Sequence, residues 1–311
     1  MENIKPSFSE LFESTISYPD HEMQIRFELL IGLDETKEKI KKILSLLINP
    51  NGVKEWIGVH HSGANQILNF VNRRPPLIIL AGDVGSGKSE LAYTIGDAVA
   101  RQEKLDVELF PLSLSSRGQG RVGQMTQLVS SAFEYTLERA KKLKNETGKS
   151  KGAVILLIDE ADALAQSREN DQMHHEDKAG VNAFIRGIDS LGNGKFPAAV
   201  IMCTNRPNSL DPAIRRRAAE IIYFQRPNED SRTKVLNTPL KELGFTSEEI
   251  QQIVDLTGPQ EGRKFGYTFS DIVQRLLPAI VLDAYPNHPV TAKRSIDITK
   301  TIIPTSPFKE I

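Results

Sequence analysis

The chain has 311 residues, 39% hydrophobic and 25% charged, an ordinary globular balance with room for one large and one small domain. The formal net charge of −1 supplies no global positive field for nucleic acid, and the single cysteine, Cys203, excludes an internal disulfide and a cysteine-based zinc site. The N-terminal stretch carries acids and no apolar core of signal-peptide length, and no apolar run approaches a bilayer span, so a cytoplasmic chain with no membrane partner is expected.

Residues 1–30 read as an N-terminal extension with little structure of its own, marked by Pro6, Pro19 and scattered aromatics (Phe8, Phe12, Tyr18, Phe27). Over 34–48, Ile40, Ile43, Leu44 and Leu47 recur at three- and four-residue steps and predict a helix, which Asn49-Pro50-Asn51-Gly52 ends. The apolar run 77–81 predicts a buried strand, followed by a glycine-rich turn and a helix to about residue 100. Further strands are expected at 107–110, 153–158, 198–203 and 220–224. Helices are expected at 122–144, where Val129, Phe133, Leu137 and Ala140 share a face, and at 178–191. Residues 141–151 read as a basic, solvated loop. After Pro227 the strands stop, and helices are expected at 231–240, 247–256, 270–284 and 291–302, with Ser247 and the Thr268/Asp271 pair as starts. Strands alternating with helices imply a mostly parallel sheet covered on both faces, here an α/β domain over 31–227, followed by a small all-helical domain over 228–311.

The segment Gly82-Asp83-Val84-Gly85-Ser86-Gly87-Lys88-Ser89 fits G-x-x-x-x-G-K-[ST] at every defined position, after a strand and before a helix. Glycines let the backbone wrap phosphate with its N–H groups turned inward, and the following helix turns its positive end to the same anion. Lys88 is expected to neutralise the β- and γ-phosphates of ATP and the Ser89 hydroxyl to bind Mg²⁺. Later, Val154-Ile155-Leu156-Leu157-Ile158-Asp159-Glu160-Ala161-Asp162 places acids just past an apolar strand, at the sheet edge where ligands bind. Asp159 is expected to hold Mg²⁺ through water, and Glu160 to polarise an attacking water.

Taken in order, Lys88-Ser89, Ile158-Asp159-Glu160-Ala161-Asp162, Thr204-Asn205-Arg206-Pro207 and Leu210-Asp211-Pro212-Ala213-Ile214-Arg215-Arg216-Arg217 resemble the motif series of AAA+ ATPases over about residues 30–300. Ile31-Gly32-Leu33-Asp34 is similar to the segment whose backbone receives adenine in that family. The resemblance implies a P-loop NTPase sheet with a helical lid domain, and ATP hydrolysis in a homo-hexamer. It also implies that Asn205 is the sensor-1 residue, although Asn-Arg-Pro suits a simple turn as well. It further implies that Arg216 or Arg217 reaches a neighbour's ATP as an arginine finger, and that Arg275, with Arg263 as rival, is sensor 2.

Two stretches, 211–223 and 270–278, are similar to the pachytene-checkpoint type of ATPase, which unfolds part of HORMA-domain proteins. Bacteria carry a stand-alone version in antiviral (CBASS) operons beside a cyclic-oligonucleotide synthase, and the compact size here resembles it. The implied activity is ATP-driven remodelling of a HORMA-domain protein through a central pore. Arg121-Val122-Gly123 aligns with the first pore loop, with Arg121 where relatives carry an aromatic, and Met173 and His174 lie in the second. A nucleic-acid motor or loader and a nucleotide-gated scaffold without turnover are the alternatives. Neutral charge argues against the first, and Glu160 with the arginines against the second. The pairs His60-His61 and His174-His175 lack metal-ligand spacing, and Cys203 and Trp56 are expected to pack.

Overall fold

The computed structural model describes residues 6–12, 14–61, 63–113, 124–144, 150–162, 175–192 and 195–308. The chain divides into two compact units. One comprises Met1–Phe27, Glu35–Ala81 and Ser89–Tyr223, and the other Glu28–Asp34, Gly82–Lys88 and Phe224–Ile311. Among the described residues no helix is long and apolar enough to cross a membrane.

The sheet is built from β1 (Ile16–Tyr18), β2 (Leu77–Gly82), β3 (Asp106–Ser113), β4 (Gly152–Asp159), β5 (Ala198–Thr204) and β6 (Ala218–Phe224), in the order β1-β3-β4-β5-β2-β6. The β3/β4, β4/β5 and β5/β2 pairs are parallel, with Ala81 opposite Thr204 and Ile158 opposite Met202. Unbroken apolar runs suit this arrangement, because a parallel strand is covered on both faces; Val154 through Ile158 and Ala199 through Met202 are fully buried. Helices α7 (Gln124–Leu143) and α8 (His175–Leu191) pack against each other, with the Phe133 and Phe184 rings 5.7 Å apart. Cys203 is buried in β5, as expected of a core cysteine.

The N-terminal segment departs from expectation. It carries α1 (Phe8–Leu11), β1 paired antiparallel to β3, and α2 (His21–Glu28). Its aromatics are the cause. Phe8 and Phe12 stack within about 5 Å of Phe110, and Leu11, Phe12 and Tyr18 are buried. The same segment grips α6 (Lys88–Glu103). The Tyr18 hydroxyl donates to the Tyr93 carbonyl, the Asp20 N–H donates to Asp97 at 2.7 Å, and Arg26 pairs with Glu90 through two 2.8 Å bonds.

Helix α3 (Asp34–Ile48) ends where expected, and the Asn49 side chain then caps a further helix, α4 (Pro50–His60), followed by α5 (Asn65–Val71). Both escaped the sequence reading, because α4 and α5 bury little apolar surface: only Ile57 in α4 and Leu68 in α5 are buried. Trp56, expected to pack, is half exposed and among the described residues stacks on His60 and His61.

In the second unit, α10 (Glu229–Glu242), α11 (Ser247–Thr257), α12 (Leu277–Ala284) and α13 (Ala292–Thr301) enclose a core of Leu236, Leu240, Ile253, Tyr267, Ile272 and Leu276; α9 (Pro212–Arg215) precedes β6 in the first unit. Thr246, one residue before the expected Ser247, caps α11 reciprocally with Glu249. The helix expected over 270–284 opens instead as a π-helical turn, Asp271–Leu276, because Pro278 has no N–H to give the carbonyl four residues back. Thr268 and Asp271 start it by exchanging bonds at 3.0 Å.

Fully buried Asp271 is a hub that also accepts from the Thr305 N–H and hydroxyl and from Arg275. Burial pushes its carboxyl up, but the bonds from Thr268, Thr305 and Arg275 outweigh that and hold it below the ordinary value of 3.8. Burial pushes the nearby Tyr267 phenol up to about 12, and its hydroxyl donates to the Thr299 and Ile302 carbonyls.

Two outcomes are expected. A Cβ at Gly96 in α6 would lie 2.3 Å from the Tyr18 ring. Gly96→Ala is therefore expected to cost about 1–3 kcal/mol and to expose residues 6–28 to protease, measured by thermal melting and limited digestion. A depressed folded pKa contributes stability above the unfolded value that is lost as pH falls through the folded one. Asp271→Asn is accordingly expected to lower Tm at pH 7, with the gap to wild type closing below the ordinary 3.8 as Asp271 takes up its proton.

Candidate functional site

The glycine-rich loop joins β2 to α6. Gly85 stands at φ +70°, a left-handed conformation costly for any residue with a Cβ, and a Cβ there would meet the Thr268 hydroxyl at 2.7 Å. Gly87 stands at φ +93°. Ser86 is buried, and its hydroxyl donates to the Asp83 carbonyl at 2.7 Å. The buried Lys88 ammonium donates to the carbonyls of Gly82 (3.0 Å) and Asp83 (2.7 Å) and, at 3.4 Å, to the Ser86 hydroxyl. The loop is thus curled around its own lysine, a form that presents backbone N–H groups and one cation to an anion. Val84 is exposed at the tip.

Within the same unit, a Cβ at Gly87 would lie 3.3 Å from the Leu33 side chain, which places the 28–34 segment beside the loop. Ile31 packs onto the helical core, and a Cβ at Gly32 would meet Ser231 at 3.2 Å. The Asp83 side chain has partners of its own. It forms a 2.7 Å ion pair with Arg226, whose guanidinium also donates to the Gly266 carbonyl and lies 4.9 Å from the Phe265 ring. Arg275 and Arg263 are both engaged elsewhere. Arg275 bonds Asp271 and the Ile303 carbonyl, and Arg263 bonds the Leu256 and Gly258 carbonyls. Among the described residues Arg226 is thus the arginine tied to Asp83 of the loop, and no local pattern in the sequence marks it.

In the first unit the parallel register does the assembling. β5 lies between β2 and β4, so the carboxyl ends of all three strands are neighbours. The Ser89 hydroxyl, one residue past the loop, donates to Asp159 Oδ1 at 3.0 Å. The same oxygen accepts the Glu160 N–H at 2.9 Å. A hydroxyl beside a carboxylate is a hard oxygen pair of the kind Mg²⁺ takes. Glu160 is exposed, at φ +50°, and among the described residues its carboxylate has no side-chain bond.

Asp162 carries a role the sequence reading did not give it. Its Oδ1 accepts from the Thr204 hydroxyl and the Asn205 N–H, each at 2.8 Å, and the Asn205 amide reaches its Oδ2 at 3.4 Å. Asn205 is therefore oriented from the segment that also carries Asp159 and Glu160.

The arginine run separates into three environments. Arg215 donates to the Pro207 carbonyl, and Arg217 forms a two-bond pair with Asp189 at 2.7 and 2.9 Å. Arg216 is exposed, and among the described residues its guanidinium has no ion pair or hydrogen bond. None of the three bonds Ser89, Asp159, Glu160 or Asn205 among the described residues. Arg121, Val122, Gly123, Met173 and His174 lie outside the described residues.

Comparison with known proteins gives the family. The profile of the ATPase family associated with various cellular activities (AAA) matches residues 78–226. CD-NTase-associated protein 6 of Escherichia coli (strain MS 115-1) is 59% identical over 98% of both chains. A chain of the solved E. coli MS115-1 HORMA:CdnC:Trip13 complex superposes with a TM-score of 0.90 at 57% identity, covering 98% of this chain and 100% of that one. The Rhizobiales Trip13 structure gives 0.75 at 49% identity over 96% of this chain and 100% of that one. With its P-loop, its acid-ended strand and near full-length similarity to these relatives, the chain belongs to the CD-NTase-associated protein 6 family of AAA ATPases.

Proposed function

We propose that the chain binds ATP and Mg²⁺, hydrolyses ATP as a homo-hexamer in the bacterial cytoplasm, and couples hydrolysis to remodelling of a HORMA-domain protein in antiviral signalling. The observation that carries the hydrolytic part is the meeting of Ser89 and Asp159 at 3.0 Å with the exposed Glu160 beside them, whose carboxylate has no side-chain bond among the described residues. The HORMA assignment is supported by the similar chain found in a solved complex with HORMA and CdnC.

In this reading Lys88 exchanges its loop carbonyls for the β- and γ-phosphates, and the loop N–H groups and the N-terminus of α6 share the charge. Ser89, and Asp159 through water, would hold Mg²⁺, which would supply positive charge beside the phosphate oxygens. Glu160 takes a proton from the attacking water, and Asn205, held by Asp162, orients that water or the γ-phosphate. The Ile31-Gly32 backbone receives adenine. Arg216 is the finger offered to the adjacent subunit, because Arg217 is already matched by Asp189 within its own chain. Residues 121–123 and 173–174 are assigned to the pore, with Val122 and Met173 as apolar grips on an extended substrate.

The test is an ATPase titration with a HORMA-domain protein and, separately, with DNA. Stimulation by the protein, with ATP-dependent partial unfolding of it, is expected; stimulation by DNA alone would remove the remodelling assignment. Glu160→Gln is expected to retain ATP and stabilise the ring on size-exclusion chromatography, and an unchanged turnover rate would refute its role as base. Arg216→Ala is expected to lower kcat by about 10³-fold with ATP binding intact. Arg217→Ala should mainly lower Tm, since it leaves Asp189 unmatched. Asp162→Ala is expected to reduce kcat roughly 10- to 100-fold while the nucleotide Kd stays near wild type, because it misplaces Asn205 without touching the loop.

A further inference from the structure

The end of the chain returns to the nucleotide loop. After α13, residues 302–308 run as a strap without helix or strand along the second unit. The strap is fixed at its start by the Tyr267 hydroxyl on the Ile302 carbonyl (2.8 Å) and by Arg275 on the Ile303 carbonyl (3.0 Å). It is fixed in the middle by Thr305, whose N–H (3.0 Å) and hydroxyl (2.8 Å) both donate to Asp271. At its far end the Phe308 N–H donates to Asp83 Oδ1 at 3.1 Å. Asp83 is the second residue of the loop, and its own carbonyl is one of the groups that hold the Lys88 ammonium, at 2.7 Å.

The Asp83 carboxylate is thereby filled from three directions: Arg226 on Oδ2, and the Val84 and Phe308 N–H groups on Oδ1. The network then closes on itself. Arg226 bonds the Gly266 carbonyl, Thr268 follows two residues later and exchanges bonds with Asp271, and Asp271 holds Thr305. The Ser270 N–H, beside that hub, donates to the Gly85 carbonyl at 3.1 Å and ties a second point of the loop to the same circuit. Every member belongs to one compact unit.

Resting on the reading that the loop binds nucleotide phosphate, we infer that Asp83 is a positioning residue and that the C-terminal strap, through the Phe308 N–H and Arg226, holds the loop in its phosphate-ready curl. A loop fixed beforehand loses less conformational freedom when it closes on phosphate, so cutting the strap weakens binding without removing any group that touches the ligand. The strap makes its link to Asp83 with a main-chain N–H. Phe308→Pro deletes that donor, whereas Phe308→Ala keeps it.

The experiment is a fluorescence titration of the full chain with mant-ADP, with thermal melting of each variant in parallel. Phe308→Pro, and a chain ending at Pro307, are expected to raise Kd by roughly 3- to 10-fold. Phe308→Ala should stay within about twofold of wild type. In an Asp83→Ala background, Phe308→Pro should add nothing further, the signature of a shared pathway rather than of general weakening. Equal Kd values for wild type and Phe308→Pro, or full additivity with Asp83→Ala, would overturn the inference even if Tm falls. Failure of the wild-type chain to bind mant-ADP at all would instead remove the nucleotide-loop reading, and the strap's role with it.

Discussion

The 3.0 Å bond between Ser89 and Asp159 is where residues far apart in the chain become one site. It exists because β5 is threaded between β2 and β4 in parallel register, which brings three carboxyl ends to one edge. The register is fixed in turn by burial. Slipping a strand by one residue changes the environment of every side chain on it, and here the strands are apolar on both faces, so a slip would have to repack both layers. The apolar core is therefore the positioning device, and the polar residues at its edge need only short reach. Asp162 shows the economy of this arrangement: one carboxylate ties the end of β5 to the end of β4 and fixes Asn205 between them.

What the sequence made legible was whatever announces itself locally. A glycine-rich loop after an apolar run, a strand ending in acids and long amphipathic helices are local signals, and the structure carries them within a few residues of their expected bounds. The N-terminal segment was illegible because its order comes from partners distant in sequence, Phe110 for Phe12 and Tyr93 for Tyr18. Helices α4 and α5 bury too little to show a period, and the half-exposed Trp56 on α4 belongs to the same case. Arg226 and the strap at Phe308 were invisible for another reason: an arginine after a strand and a main-chain N–H have no sequence signature. The arginine run lies between these extremes. Its presence was plain, but three identical residues can be sorted only by their neighbours, and Asp189 is what separates Arg217 from Arg216.

The second unit is organised around two acids rather than around apolar contact alone. Asp83 and Asp271 each accept several donors, and each has an arginine partner, Arg226 and Arg275. Removing such a carboxylate from water is expensive, and the pair with arginine recovers that cost only when the remaining lone pairs are filled. Both acids meet that condition, Asp271 through Thr268 and Thr305 and Asp83 through Val84 and Phe308. The return is geometric specificity. An apolar substitute could pack as well, but it could not fix the direction in which a loop carbonyl points, and the Asp83 carbonyl has to point at Lys88.

Glu160 shows the opposite device: among the described residues its carboxylate makes no side-chain bond, while its own N–H and the next one are both bonded. Its φ of +50° is uncommon for a residue with a Cβ and carries a strain of about 1–3 kcal/mol. The conformation persists because the flanking groups are fixed: its own N–H goes to Asp159 Oδ1, and the next N–H, that of Ala161, to the Cys203 carbonyl in β5. Glycine would relieve the strain, yet the position holds an acid, so strain is tolerated there for the sake of the carboxylate. In the proposed mechanism Glu160 is the base; a base that had first to break a salt bridge would be slow to accept a proton, whereas one placed by its backbone alone is available at once. The strained turn thus aims Glu160 without occupying it, on the same oxygen that receives Ser89.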